Sequence, residues 1–251
     1  MLSRVPGSSR GAGGAAAAVS RRHRRTRLAC RIGLLAGVVL LWAGHGSMLA
    51  LASEGPPEPT VEQILDAVQA RYDKIRDLRA SFRQDAWVAS IGREDRSTGE
   101  VSILRPGRMR WEYAAPDARV IALDGDTIRL YVPEDEQLQI AALTPGNFPP
   151  TALDFLLGDG RLHRTFAAEP IAESREGEIG VRLRPRDGAG FDHLDLWVAA
   201  ETYQLRESVV VDLFGNRTSV RFSGIIENSG LDVGAFELRV PEGTETIDLR
   251  Q

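Results

Sequence analysis

One cysteine, one lysine and four histidines are all that this 251-residue chain holds of the residues most used in covalent and metal chemistry. The cysteine, Cys30, lies in the N-terminal segment, so the rest of the chain has neither a disulfide framework nor a thiolate nucleophile. Only His163 and His193 lie beyond residue 52, thirty positions apart and without a tight carboxylate cluster, which excludes metal-ligand spacing. His193 sits in Phe191-Asp192-His193-Leu194-Asp195-Leu196-Trp197. In a strand Asp192 points away from it and Asp195 shares its face, a pattern read here as a surface polar row and not a catalytic pair. A Gly-x-Ser-x-Gly elbow and a glycine-rich phosphate loop are both missing. The scattered acidic residues fix no separation that a glycosidase dyad would need. The residues read as a binding protein, not an enzyme, with no cofactor and no metal.

Long hydrophobic runs are also scarce. The longest, Ile32 to Trp42, is short for a membrane span and follows a basic stretch, Arg21 to Arg31. Residues 1–52 hold 8 arginines and no acidic residue, and Ala50-Leu51-Ala52 offers a small-x-small cleavage site before Ser53. We read 1–52 as a cleavable export signal, with an uncleaved anchor as the alternative, since apolar residues resume at Met48 after Gly44-His45-Gly46-Ser47. Cys30 precedes the apolar run, which is the wrong place for lipid modification. Ser20-Arg21-Arg22 is a weak twin-arginine signal, so general secretion is the expected route. Without this segment 23 basic residues face 35 acidic ones, a net charge of −12. Nucleic acid is excluded as a natural partner, and any traffic in lipid must depend on apolar burial.

Residues 53–59 read as a leader, and 60–251 as a single domain without linker or repeat. Thr60-Val61-Glu62-Gln63 has the form of a capping box, and Val61, Ile64, Leu65, Val68, Tyr72 and Ile75 recur at helical spacing. That stripe serves a core or roofs a cavity equally well. From Leu78 to Tyr131 the chain alternates as a meander with a hairpin at Asp124-Gly125-Asp126. Pro149 to Gly158 reads as a short helix. Ile179-Val181-Leu183, Leu194-Leu196-Val198, Val209-Val211-Leu213 and Val220-Phe222 supply further strands. The fold class is mainly β with α (α+β): one large, curved antiparallel sheet with helices on its concave side.

The most informative stretch is Gly99 to Tyr113, two alternating strands hinged at Arg105-Pro106-Gly107. Val101 and Ile103 share a face that ends in Arg105. Met109, Trp111 and Tyr113 form an apolar row opposed by Arg108, Arg110 and Glu112.

Arg105-Pro106 with Trp111 five positions on resembles the Arg-Pro-x-x-x-x-Trp segment of the LolA family, periplasmic carriers that move lipoproteins from the inner to the outer membrane. The likeness continues through Ala80 to Gln84, Val120 to Tyr131 and Gln137. Asp212-Leu213-Phe214-Gly215-Asn216-Arg217-Thr218 looks like the family's last hairpin, and Phe236 to Gly243 like its closing strand.

The resemblance implies an unclosed antiparallel β-barrel capped by short helices around an apolar cavity for acyl chains. It gives Arg105 the role of holding the helical lid closed. Candidate cavity-lining residues are Val101, Ile103, Met109, Trp111 and Tyr113, then Phe82, Ile64 and Leu65. Their alternative is plain core packing. Some relatives carry an aromatic where this chain has Met109. The implied partners are lipoproteins, an inner-membrane ATP-driven lipoprotein-releasing complex and an outer-membrane lipoprotein acceptor, with the carrier itself a monomer in the periplasm. A LolA-like periplasmic sensor, or a carrier of another lipid class, is the alternative the same resemblance allows.

Overall fold

Thr60 closes the first helix as its spacing requires. Its hydroxyl accepts the Gln63 amide at 3.3 Å, and the Gln63 side chain accepts the Thr60 amide at 2.9 Å. The helix, α1 (Val61–Tyr72), buries Ile64, Leu65, Val68 and Tyr72 along one stripe. The computed structural model describes residues 59–143, 161–186 and 190–250. The export segment expected over 1–52, the leader up to residue 58 and the helix expected over 149–158 lie outside the described residues.

Six strands follow α1 as a meander: β1 (Asp77–Val88), β2 (Arg93–Leu104), β3 (Arg108–Tyr113), β4 (Arg119–Asp124), β5 (Thr127–Val132) and β6 (Gln137–Ala142). A single-turn helix, α2 (Leu162–Thr165), leads into β7 (Phe166–Pro170), β8 (Glu178–Pro185), β9 (Phe191–Ala199), β10 (Leu205–Asp212) and β11 (Arg217–Glu227). A 3-10 turn, Val233–Phe236, precedes β12 (Glu245–Asp248). The twelve strands among the described residues form one sheet in the order β12-β6-β5-β4-β3-β2-β1-β11-β10-β9-β8-β7. The pairing of β1 with β11 fuses the two meanders at the centre. The end strands β12 and β7 do not meet, so the curved sheet stays unclosed, as its fold class requires.

Two details differ from the sequence reading. The closing strand expected over Phe236 to Gly243 is instead a crossing segment. Phe236 is buried on the outer face of β3 and β4, and Arg110 donates to the Glu237 carbonyl at 2.9 Å. The last strand comes later, at Glu245–Asp248, and joins β6 in parallel, because the chain has crossed the sheet before pairing. Leu213, placed in a strand by alternation, lies just beyond β10 and is exposed.

The core is one layer between α1 and the concave sheet face. Ile64, Leu65, Val68 and Tyr72 from the helix join Leu78, Phe82, Val101, Ile103, Met109, Trp111 and Leu123 in one cluster. Val181, Leu196, Leu205, Val210, Val220 and Phe222 extend it across the other half-sheet.

Candidate functional site

Trp111 is the centre of the concave face. The Phe82 ring meets it edge-on at 4.6 Å and meets Tyr113 at 5.0 Å, while Phe222 lies 6.3 Å from Trp111. Edge-to-face contacts of this kind stabilise beyond their area alone. The Trp111 indole N–H donates to the Met109 sulfur at 2.7 Å, so the polar atom of a buried ring is satisfied inside an apolar layer. Gly99 makes room for this packing. A Cβ there would stand 2.0 Å from the Glu112 carbonyl oxygen and 2.8 Å from the Phe82 ring.

Val101, Ile103, Met109, Trp111, Phe82, Ile64 and Leu65 come together as expected, none of them more than 4% exposed. Tyr113 closes the row from a half-buried position. Its hydroxyl donates to Gln84 at 3.0 Å, and the Arg119 guanidinium lies 3.7 Å over its ring. Burial pushes the Tyr113 phenol up, and Arg119 partly opposes this. In this state the residues proposed to line a cavity are filled by the helix: the apolar stripe of α1 occupies the concavity.

Arg105 lies in the turn between β2 and β3, where alternation puts it at the end of the Val101 and Ile103 face. Its Nη1 donates at 2.9 Å to the Tyr72 carbonyl at the C-terminal end of α1, a carbonyl that also accepts the Ile75 amide at 3.1 Å. The turn is fixed in its own right, since the Arg105 amide donates to the Arg76 carbonyl at 2.8 Å. Beside it, Gln69, Asp73, Arg105, Arg161, His163 and Arg164 line a hollow of about 790 Å³.

Tyr72 is the residue that sequence reasoning missed. It was assigned only to the apolar stripe, yet its hydroxyl accepts the Leu205 amide at 2.9 Å while its carbonyl accepts Arg105. Burial drives its phenol far above the ordinary tyrosine range, so it stays neutral at any physiological pH. Next to it, Arg71 grips both oxygens of Glu227 at 2.6 and 2.8 Å and also reaches the Thr202 carbonyl at 3.2 Å. The C-terminal turn of α1 is therefore tied to the β2–β3 turn, to the start of β10 and to the end of β11. No local motif announces these partners, which lie up to 156 positions away.

The surface polar row expected around His193 is only partly at the surface: Asp192 is exposed, His193 is half-buried and Asp195 is buried. The His193 Nδ1 lies 2.6 Å from Asp192, which alternation had pointed away, and its Nε2 is 3.9 Å from Asp195. The register shifts between Val211 and Asp212, a bulge that leaves Asp192 without a partner on β10 and breaks the alternation. Asp195 is held by both Nε and Nη2 of Arg182, at 2.7 and 2.9 Å.

The family model for the outer membrane lipoprotein carrier protein LolA matches residues 73–239. The chain is 31% identical over 191 residues to the outer-membrane lipoprotein carrier protein of Dechloromonas aromatica (strain RCB), covering 74% of this chain and 86% of that one. It is 29% identical over 205 residues to the protein of the same description from Azotobacter vinelandii (strain DJ / ATCC BAA-1303), covering 79% and 94%. A solved LolA superfamily protein from Nitrosomonas europaea aligns with a TM-score of 0.42 and 11% identity over 72% of this chain and 98% of its own. That score adds nothing to the sequence match. The breadth of the family match and the identity to full-length relatives place the chain in the LolA family.

Proposed function

We propose that this protein is a periplasmic carrier that takes lipoproteins from the inner to the outer membrane, holding their acyl chains on the concave face beneath α1. The observation that carries the proposal is the bond from Arg105 to the Tyr72 carbonyl, which fastens the helix over an apolar surface without crossing that surface. Family membership supports the cargo, and the basic then apolar N-terminal segment supports export.

The physical demand is clear. Burial of an acyl chain is worth roughly 0.8 kcal/mol per methylene, so about fifteen methylenes represent on the order of 12 kcal/mol of avoided contact with water. Acyl chains entering the concavity take the place of the α1 stripe against Phe82, Met109 and Trp111, exchanging one apolar contact for another. The polar latch is what distinguishes the two states. A hydrogen bond to a charged group contributes about 1.5–3 kcal/mol, enough to favour the closed form and small enough to yield to cargo. Arg105 is then the gating residue. Val101, Ile103, Met109, Trp111, Tyr113, Phe82, Ile64 and Leu65 are the surfaces exchanged. Loading draws its energy from an inner-membrane ATP-driven partner, and an outer-membrane acceptor receives the cargo.

The test is native mass spectrometry, with lipid analysis, of the protein purified from periplasm. One triacylated lipoprotein per chain is the expected result. Free lipids of another class, or an empty chain after overexpression with lipoproteins, would overturn the assignment.

A further inference from the structure

At the end of the sheet away from Arg105, two adjacent turns hold four large apolar side chains in water. Trp87 and Ile91 belong to the β1–β2 hairpin, Leu213 and Phe214 to the β10–β11 turn, and they are 43%, 68%, 67% and 85% exposed. The pairing of Trp87 with Arg217 sets the turns side by side. Asn216 Oδ1 accepts the Ala89 amide at 2.9 Å and joins them. A lone exposed apolar residue needs no explanation, but four on two joined turns form a patch.

The β10–β11 turn is built to keep them there. Asp212 Oδ1 accepts the amides of Phe214 and Asn216 at 2.8 and 2.9 Å, and its Oδ2 accepts the Asn216 side-chain amide at 2.7 Å. Desolvation pushes the Asp212 carboxyl up, and these bonds outweigh it and hold the group below its ordinary value. Gly215, at φ +81°, reverses the chain. The polar side chains thus fix the backbone, while Leu213 and Phe214 gain nothing from the fold.

β2 runs on through Arg93–Thr98 beyond its last register pair with β3, at Gly99, an overhang past β3 of about 20 Å at the usual strand rise, with β1, β11, β10 and β9 continuing beside it. The overhang neutralises its own charge: Arg93 pairs with Asp95 at 2.7 Å, Arg96 with Glu94 at 2.9 Å and Asp85 at 3.1 Å, and Arg83 with Asp85 at 3.1 Å.

We infer that this tip docks the protein on a lipid bilayer by shallow insertion of Trp87, Ile91, Leu213 and Phe214. Four side chains on two turns fall far short of the roughly 20–30 residues a side of a stable protein interface. They do suit the boundary between headgroups and acyl chains, where tryptophan settles and flanking arginines reach back to water. With its ion pairs closed among themselves, the arm is neither drawn to nor repelled from anionic headgroups, so insertion is driven by the apolar tip. The latch at Arg105 stays at the opposite end of β2, in the aqueous phase.

The experiment uses vesicles of phosphatidylcholine, some carrying brominated chains, and the protein as the cell processes it. Among the described residues Trp87 is the exposed tryptophan, Trp111 and Trp197 being buried, so bromine quenching reports the tip. Quenching and co-sedimentation are expected, unchanged by salt or by added phosphatidylglycerol. The double variant Leu213→Ser, Phe214→Ser should lose binding at least about tenfold, from the apolar area removed. Trp87→Phe should lose the quenching signal. Binding by the double variant equal to the parent, no binding by the parent, or binding that appears only with phosphatidylglycerol and collapses in salt would each overturn the inference. Cargo retention measured on the same variants keeps the two readings apart, because the tip lies outside the cluster under α1.

Discussion

The two ends of the central strands handle polar groups in opposite ways. At the Arg105 end, side chains reach across the chain: Arg105 to the Tyr72 carbonyl, Arg71 to Glu227, the Tyr72 hydroxyl to the Leu205 amide, and Asp77 to Ser229 and Gly230. At the far end Asp212 acts within one turn, on Phe214 and Asn216, and a single bond from the Ala89 amide to Asn216 Oδ1 links that turn to its neighbour. Bonds between distant segments make a joint whose parts can separate while each keeps its own secondary structure. Bonds within a turn make a rigid tip. The apolar face between the two ends is covered by a helix whose C-terminal turn is tied at the joint.

The sharpest way to break this comparison is to change a phenylalanine at each position. Phe82→Ala, in the concave layer, should cost about 3–5 kcal/mol in denaturant unfolding, whereas Phe214→Ser at the tip should stay within about 0.5 kcal/mol. Next comes Tyr72→Phe, which leaves the buried Leu205 amide without its acceptor and should cost about 1–3 kcal/mol, with faster amide exchange at the start of β10. Glu227→Gln should follow at about 1.5 kcal/mol, read by the same unfolding curves, because the Arg71 guanidinium loses its counter-charge and one of its two acceptor oxygens.

The smallest effect is a pH dependence. Desolvation pushes the Asp77 carboxyl up, but the Ser229 hydroxyl and the amides of Ser229, Gly230 and Leu231 outweigh it and hold it below its ordinary value. A carboxyl depressed on folding contributes stability that is complete above its unfolded value, about 3.9, and is lost as pH falls through the folded value. Asp77→Asn should therefore lower the melting temperature most at neutral pH, with the gap to the parent closing in strong acid. A gap that widened on acidification would contradict this.

Much of the fold was legible because its signals are local. The Thr60 and Gln63 capping box, the alternation of Val101, Ile103, Met109 and Trp111, and the turn at Arg105-Pro106-Gly107 each depend on neighbours a few positions away. What was not legible is long-range or main-chain. The Tyr72 carbonyl carries no side-chain signature, and the Arg71–Glu227 pair arises only once helix and sheet are packed. The closing strand was misplaced because the alternation around Phe236 also fits a segment crossing the outer face. Alternation sets Asp192 on the face opposite His193 because a bulge at Asp192 is invisible to a period of two.

The central claim is that Arg105 holds α1 closed over the acyl-binding face. It is tested most directly by hydrogen exchange across Val61–Tyr72 in the parent and in Arg105→Leu, each empty and loaded with a triacylated lipopeptide, alongside transfer to an acceptor membrane protein. The account predicts that α1 exchanges faster in Arg105→Leu than in the empty parent, that loading the parent produces the same increase, and that the variant binds lipopeptide but hands it on poorly. Equal protection of α1 in both proteins, with normal transfer by the variant, would contradict it.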